Sequence, residues 1–532
     1  KRGRHGTGFA QVGDYLYTAS GCGNRGGEPE LFSIERLKLP KKKPICPTSE
    51  KEVDSKLIYS QRNTITLAFD GPNTSESAEI NPFTNYVLSV NFRFETGKEY
   101  KIRGFYAADG NAAHTSASEG SIWQVRFTPE EIGQWTYKAS FVQGVDIAMK
   151  QNSTAVDTIP LDNPYGSFEV VPTQKKGQEL KALGRLIADE GRFKFVNSEQ
   201  YFLKVGANSP ENFLAYKGFD NTYRIKASSR EGEAKSNSTI HQYKPHFTDW
   251  NTGDPTWGKD EGKEIIGAAN YLAKKGMNSV YFLTLNITGD GNDVWPYKTH
   301  DDFSRFDVSK LEQWEILFEH MQSKGILLHV VLQETENETL LDNGNTGNMR
   351  RLYFNELIAR FGHHLALVWN LGEENGPAPW SPVGQNDDQR RQMAKFLKLN
   401  DPYDHPVLLH THAYDPLRKD ILDSLLGFPY IDGISLQQDK REHVNEIVTH
   451  WKSESKKASH PWVVSMDEIG MWFEGALTDS ADQNHPTLTS HVLWGSLLSG
   501  GDGVEWYFGA KHPHNDLTSE DWGQRDRLWE IT

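Results

Sequence analysis

Two pairs of adjacent acids, Glu373-Glu374 and Asp467-Glu468, each close an apolar run. The first run is Leu365-Ala-Leu-Val-Trp-Asn-Leu-Gly and the second is Pro461-Trp-Val-Val-Ser-Met. Unbroken apolar runs of this length read as strands buried on both faces of a parallel sheet. Carboxylates at the end of such a strand cost free energy to desolvate unless something uses them. Set opposite each other across a cavity, two carboxyl groups can hydrolyse a glycosidic bond. One, kept protonated, gives its proton to the leaving oxygen; the other, ionised, attacks the anomeric carbon or activates water. For either strand alone, an ordinary exit into solvent explains the acids as well, so the surrounding elements decide.

Those elements alternate. Helical periodicity over 264–275, 309–324, 349–361, 417–426, 442–455 and 488–498 is interleaved with short apolar strands. The strands are Phe202-Leu-Lys-Val-Gly, Ser279-Val-Tyr-Phe-Leu-Thr-Leu, Ile326-Leu-Leu-His-Val-Val-Leu, the first acidic run, Pro406-Val-Leu-Leu-His-Thr-His, Ile431-Asp-Gly-Ile-Ser-Leu-Gln, the second acidic run, and Gly503-Val-Glu-Trp-Tyr-Phe-Gly. Eight such units predict a (β/α)8 TIM barrel over residues 174–532, with the acidic pairs ending strands four and seven. That is the carboxyl face, where barrel active sites sit. The competing fold, an open doubly wound sheet, needs a phosphate-binding glycine loop after its first strand. Gly206-Ala-Asn-Ser-Pro-Glu-Asn is not one.

Upstream the texture is all-β. Runs such as Tyr86-Val-Leu-Ser-Val-Asn-Phe, Tyr100-Lys-Ile-Arg-Gly-Phe-Tyr and Gly133-Gln-Trp-Thr-Tyr-Lys-Ala-Ser-Phe-Val, spaced by turn residues, predict an immunoglobulin-like β-sandwich over 57–173. Residues 37–56, rich in Pro and Lys, read as a linker. Residues 1–36 carry a short-strand, Gly-Asp turn, short-strand pattern and then a glycine-rich loop, which resembles one kelch-type propeller motif. One motif cannot bury its own faces, so the natural chain is expected to begin further upstream.

Composition narrows the partners. The 532 residues carry Lys+Arg 57 against Asp+Glu 72, a net charge of −15. That disfavours nucleic acid and anionic membrane surfaces. No run reaches the roughly 18 apolar residues that a membrane span requires, so no membrane partner is expected. Cys22 and Cys46 are too few for a disulfide framework or a thiolate metal site. His405, His410 and His412 lack an identifiable further ligand, and Asp290-Gly-Asn-Asp293 lacks the closing Glu of a calcium loop. No metal and no cofactor are therefore expected. Oligomeric state is not legible.

Acid from strand four and nucleophile from strand seven is an order that resembles the large retaining glycosidase clan built on this barrel. Its signature there is Trp-x-x-x-Asn-Glu on strand four. Trp369-Asn-Leu-Gly-Glu-Glu374 is similar, with Glu373 where the clan has Asn. The stretches Tyr106-Ala-Ala-Asp-Gly-Asn, Gly206-Ala-Asn-Ser-Pro-Glu-Asn, Gln333-Glu-Thr-Glu-Asn and Gly503-Val-Glu-Trp-Tyr-Phe-Gly, with the strand-four motif, resemble proteins in which a DUF5060 sandwich precedes a glycoside hydrolase barrel. The resemblance spans residues 57–532. It implies a secreted, periplasmic or cell-surface enzyme acting on a polysaccharide or oligosaccharide, with Glu374 as acid/base and Glu468 as nucleophile of a double displacement. Candidate substrate-binding residues at the strand ends are Asn208, Glu211, Asn212, Trp295, Gln333, Glu336, Asn370, Glu373, His410, His412, Gln438, Trp506 and Tyr507. Glu334, Asn337, Gln437 and Glu505 lie beside them. The competing class is a non-catalytic carbohydrate-binding or scaffold protein with a degenerate barrel; both acidic pairs being present speaks against it.

Overall fold

The computed structural model describes residues 57–150, 156–198, 200–225 and 240–532, together with the backbone of three strands ahead of residue 39. The chain divides into two compact units, residues 1–55 and 56–532. In the first unit, Gly8–Val12, Tyr15–Ala19 and Ile34–Lys38 form an antiparallel sheet in sequence order. The glycine-rich loop and residues 39–56 of the expected linker lie outside the described residues. The third strand takes Leu37 and Lys38 from that linker.

The second unit opens with two facing sheets. One has the order Leu57–Ser60, Tyr165–Val171, Gly133–Gln143, Tyr86–Phe94, Glu99–Arg103; the other pairs Ile65–Ser75 with Glu119–Phe127 and Phe105–Tyr106. Their inward residues interlock as aromatics: Phe92 stacks on Phe127 with ring centres 4.2 Å apart, and Trp135 and Trp123 are buried between the sheets. Tyr100–Tyr106, read from sequence as one strand, breaks at Gly104 and passes from one sheet to the other. A Cβ there would lie 2.6 Å from the Leu88 side chain and 2.9 Å from the Gln124 carbonyl oxygen, which favours glycine at that crossing.

Eight parallel strands close the barrel: β1 Lys204–Ala207, β2 Ser279–Leu283, β3 Leu327–Val331, β4 Leu367–Asn370, β5 Val407–His410, β6 Gly433–Gln438, β7 Val463–Ile469 and β8 Gly503–Trp506. The outer helices include α1 Lys263–Lys274, α2 Val308–Ser323, α3 Asn348–Phe361, α4 Asp387–Asn400, α5 Leu417–Leu425 and α6 Val444–Lys457. α4 is absent from the sequence reading. A hairpin, Leu186–Asp189 with Arg192–Phe195, closes the amino-terminal end. Its Leu186, Phe193 and Phe195 pack with Leu327, Ala366, Val368, Leu408 and Val463. That end is sealed by apolar contact, which leaves the carboxyl face as the open one.

The sandwich is fastened to the outside of the barrel. Arg126 pairs with Glu312 on α2, Arg360 of α3 donates to the Tyr106 carbonyl at 2.8 Å, and the Thr128 amide donates to the Tyr403 hydroxyl at 2.7 Å. Among the described residues no helix is long and apolar enough to cross a membrane.

Candidate active site

Inside the barrel the polar layer is built first. Lys204 of β1, fully buried, donates to Asp467 Oδ2 at 2.8 Å and Glu505 Oε2 at 3.0 Å; His329 Nδ1 is 2.8 Å from the same Glu505 oxygen. Although burial opposes ionisation, Lys204 and His329 hold Glu505 down at about 2. Asp467 and Glu505 are therefore both tied to Lys204 in the barrel interior, below the mouth.

Strict alternation would turn Glu468 away from the interior once Asp467 points into it. A bulge prevents that. β6 and β7 pair Leu436 with Met466 and Gln437 with Glu468, so Asp467 is the extra residue and both acids face inward. Glu468 then accepts a hydrogen bond from Gln437 Nε2 at 2.6 Å, and His410 Nε2 stands 3.4 Å from its other oxygen. Burial, followed by the charges of His329 and His412, pushes His410 well below its ordinary range, so the ring is neutral. Its Nδ1 lies 3.0 Å from the Tyr281 hydroxyl. An O–H given there by Tyr281 leaves the Nε2–H facing Glu468.

At the end of β4, the Glu373 amide donates to the Gln333 carbonyl at 3.0 Å, and Thr335 Oγ1 donates to the carbonyls of Glu373 and Glu374 at 3.3 and 3.1 Å. Glu374 is held in the left-handed region at φ 42°, an uncommon conformation for a residue with a side chain. Glu373 places a carboxylate oxygen within 4.8 Å of both His410 and Glu468.

The cavity at the mouth is lined by Glu211, Asp290, Glu334, Glu336, Glu373, Glu374, Glu468 and Asp516, with Tyr507, Trp472, Asn515 and Thr335 between them. Among the described residues no Lys or Arg lines it. Acids gathered this closely cannot all ionise. Glu468 is raised well above the carboxylate range by burial and then by Glu373 and Glu374; Glu373 is raised by burial, Asp516 and Glu374; Glu211 by burial, Asp516 and Glu373. Glu211, Glu334 and Glu373 each offer an oxygen within 4.8 Å of the others. A hard cation takes such oxygens, and carboxyl groups at that spacing also share protons.

Of the residues expected at the site, Glu211, Glu336, Glu373, Glu374, Glu468 and Tyr507 line the cavity, and His410 touches Glu468 from behind. Others support it. Asn208 donates to the Asp467 carbonyl at 2.7 Å. Asn370 accepts the amides of His410 and Gly372 at 3.1 and 3.2 Å. Gln333 bonds Gln385 and Arg350 beneath the β4 turn, and His412 Nε2 meets the Gly376 carbonyl at 3.2 Å.

Four others lie away from the cavity lining. Asn212 is spent on Asp293 and His241, tying two loops together. Gln438 is taken by Arg418, while its neighbour Gln437 reaches Glu468. Trp295 is buried against Tyr223. Trp506 faces outward, bonded to Thr532 Oγ1 at 2.9 Å, because alternation along β8 gives the cavity to Tyr507. Sequence reasoning missed Asp516, Asn515 and Trp472. All three sit on loops with no periodicity, Trp472 just after β7 and the other two well past β8.

Residues 60–142 match the model of DUF5060, a domain of unknown function. No curated protein matches the chain in sequence. Among solved structures, a presumed glycoside hydrolase from Bacteroides vulgatus ATCC 8482 superposes over 88% of this chain and 75% of its own, at 17% identity and a TM-score of 0.54. A glycoside hydrolase family 5 protein from the same organism covers 65% of this chain and 66% of its own, at 14% identity and a TM-score of 0.42. A β-mannanase from the blue mussel Mytilus edulis covers 66% and 96%, at 13% identity and a TM-score of 0.38. The chain thus joins a DUF5060 domain to a closed eight-stranded barrel with the fold of glycoside hydrolases.

Proposed function

We propose that the protein is a glycoside hydrolase acting on a polysaccharide or its oligosaccharides by double displacement. The observation that carries this is a single cavity at the carboxyl face of the barrel into which β4 and β7 each deliver carboxyl groups. Glu468 is the nucleophile: Gln437 donates an N–H to its carboxylate at 2.6 Å, which favours the ionised form against the burial and neighbouring acids that raise it. Glu374 is the acid/base. In the first step Glu468 attacks the anomeric carbon while Glu374 gives its proton to the departing oxygen. In the second, Glu374 takes a proton from water, whose oxygen replaces Glu468. Glu373, raised by burial and by Asp516 and Glu374, is a protonated donor beside the sugar, filling with an O–H the place that Asn fills in the clan the strand-four motif resembles.

The lining has a consequence for the substrate. Among the described residues eight acids and no Lys or Arg line the cavity, and the negative charge they retain disfavours uronates and sulfated sugars, which supports a neutral or cationic reacting sugar. A screen against neutral, uronate and sulfated glycans, followed by Glu374→Gln and Glu468→Gln on any hit, tests the reading. Each substitution is expected to lower turnover by about 10²–10⁴-fold or more while thermal melts stay near wild type. Wild-type turnover in either variant removes the assignment.

A further inference from the structure

Beside the acidic cavity lies a second hollow of about 580 Å³ with a different character. Its wall carries Trp380, Tyr414, Met471 and Trp472, with Glu374 and Gln437 at the edge. Glu374 and Trp472 also line the acidic cavity, so the two spaces are continuous. The four apolar side chains are 43, 39, 41 and 40% exposed in that order. Single exposed apolar residues need no explanation, but four gathered on one concave surface mark a place where something binds.

Three loops build it: Trp380 follows β4, Tyr414 follows β5, and Met471 and Trp472 follow β7. The rings are held. Trp380 meets His412 edge to face with centres 5.8 Å apart at 82°, and His412 is anchored on Gly376. The Trp472 carbonyl accepts the Tyr507 hydroxyl at 2.8 Å, and Lys511 Nζ stands 4.6 Å from the centre of the Trp472 ring.

Resting on the glycosidase reading, we propose that this hollow is the leaving-group subsite and takes the sugar ring on the far side of the scissile bond. The acid/base has to reach the oxygen between two sugars. Among the carboxyl groups of the acidic cavity, Glu374 alone also borders the hollow; Glu468 borders the cavity only. The bond cleaved therefore joins a ring seated among the acids to a ring resting on Trp380 and Trp472. A pyranose suits such a wall: its C–H face lies on the indoles while its hydroxyl rim meets Gln437 and Asp439.

The test uses the full chain with Glu468→Gln, so that nothing turns over. Calorimetric titrations with gluco-, manno-, xylo- and galacto-oligosaccharides of one to four sugars read affinity against length. Affinity should rise when the second ring is added, and Trp380→Ala should remove that gain, weakening oligosaccharide binding by about tenfold. Trp380→Phe, which keeps a ring, should restore most of it and guards against a folding defect in the alanine variant. Oligosaccharide affinity that keeps its gain with length in Trp380→Ala overturns the subsite and leaves the glycosidase standing. Absence of saturable binding by any saccharide overturns both.

Discussion

At the scale of single residues, the site is a problem of charge. Glu211, Glu334, Glu373 and Glu468 all have carboxyl groups raised by burial and by one another, and Glu338, mainly through burial, is raised to about 7. A raised carboxyl holds its proton in the folded state after the unfolded chain has lost it. Stability from such a group is present below the unfolded value near 4.5 and is lost as pH climbs toward the folded value. Thermal melts should therefore show stability falling between pH 4.5 and about 7, with part of that fall due to Glu338. Glu338→Gln, which removes the titrating group and keeps an acceptor for one of the two amides that Glu338 accepts from, Gly376 or Gln385, should flatten the profile. A variant whose profile parallels wild type would show that Glu338 ionises normally. Glu373→Gln separates the two β4 acids by activity: a protonated donor tolerates the amide, so turnover should fall far less than in Glu374→Gln. The reverse ranking would exchange their roles.

At the scale of elements, the bulge in β7 and the buried lysine beneath it do the positioning. Lys204 holds Asp467 and Glu505, both fully buried, and removing it takes the shared cation from two buried carboxyl groups and leaves only His329 beside Glu505. Lys204→Met is expected to cost about 3–5 kcal/mol in denaturant unfolding, with activity falling because the extra residue of the bulge loses its anchor. Stability within 1 kcal/mol of wild type would mean the acids are neutralised some other way. The eight strands were legible because parallel strands are apolar throughout, and so was the presence of acids at two of their ends. Which acid faces where was not. Period-2 alternation separates Asp467 from Glu468, and only pairing with β6 reveals the extra residue. α4 was illegible for another reason: Asp387–Asn400 buries only Arg390, Met393, Ala394 and Leu397, too narrow a stripe to register. Its start was marked by the Asn386–Gln389 capping box.

At the scale of the whole molecule, the sandwich braces the helices that carry β3 and β4. Arg126 spans from a sandwich strand to Glu312 and Glu315 on α2, with its side chain 7% exposed. Arg126→Ala should cost about 2–5 kcal/mol, read as a lowered melting temperature. An unchanged melt would show that the two layers are held by apolar packing alone. The net charge of −15 works in the same direction as the cavity. Anionic glycans meet repulsion at long range and again at the site, so raising salt should improve whatever residual binding they show while leaving neutral glycans unaffected.

Covalent trapping of the glycosyl-enzyme tests the two-carboxylate site most directly. Once a screen has given the reacting sugar, its 2-deoxy-2-fluoro glycoside with a good leaving group is incubated with the protein. The labelled peptide is then mapped by mass spectrometry. One sugar bound through an ester to Glu468 is the result predicted. A label on Glu373 or Glu374, or an active enzyme that releases inverted product and never carries a label, would contradict it.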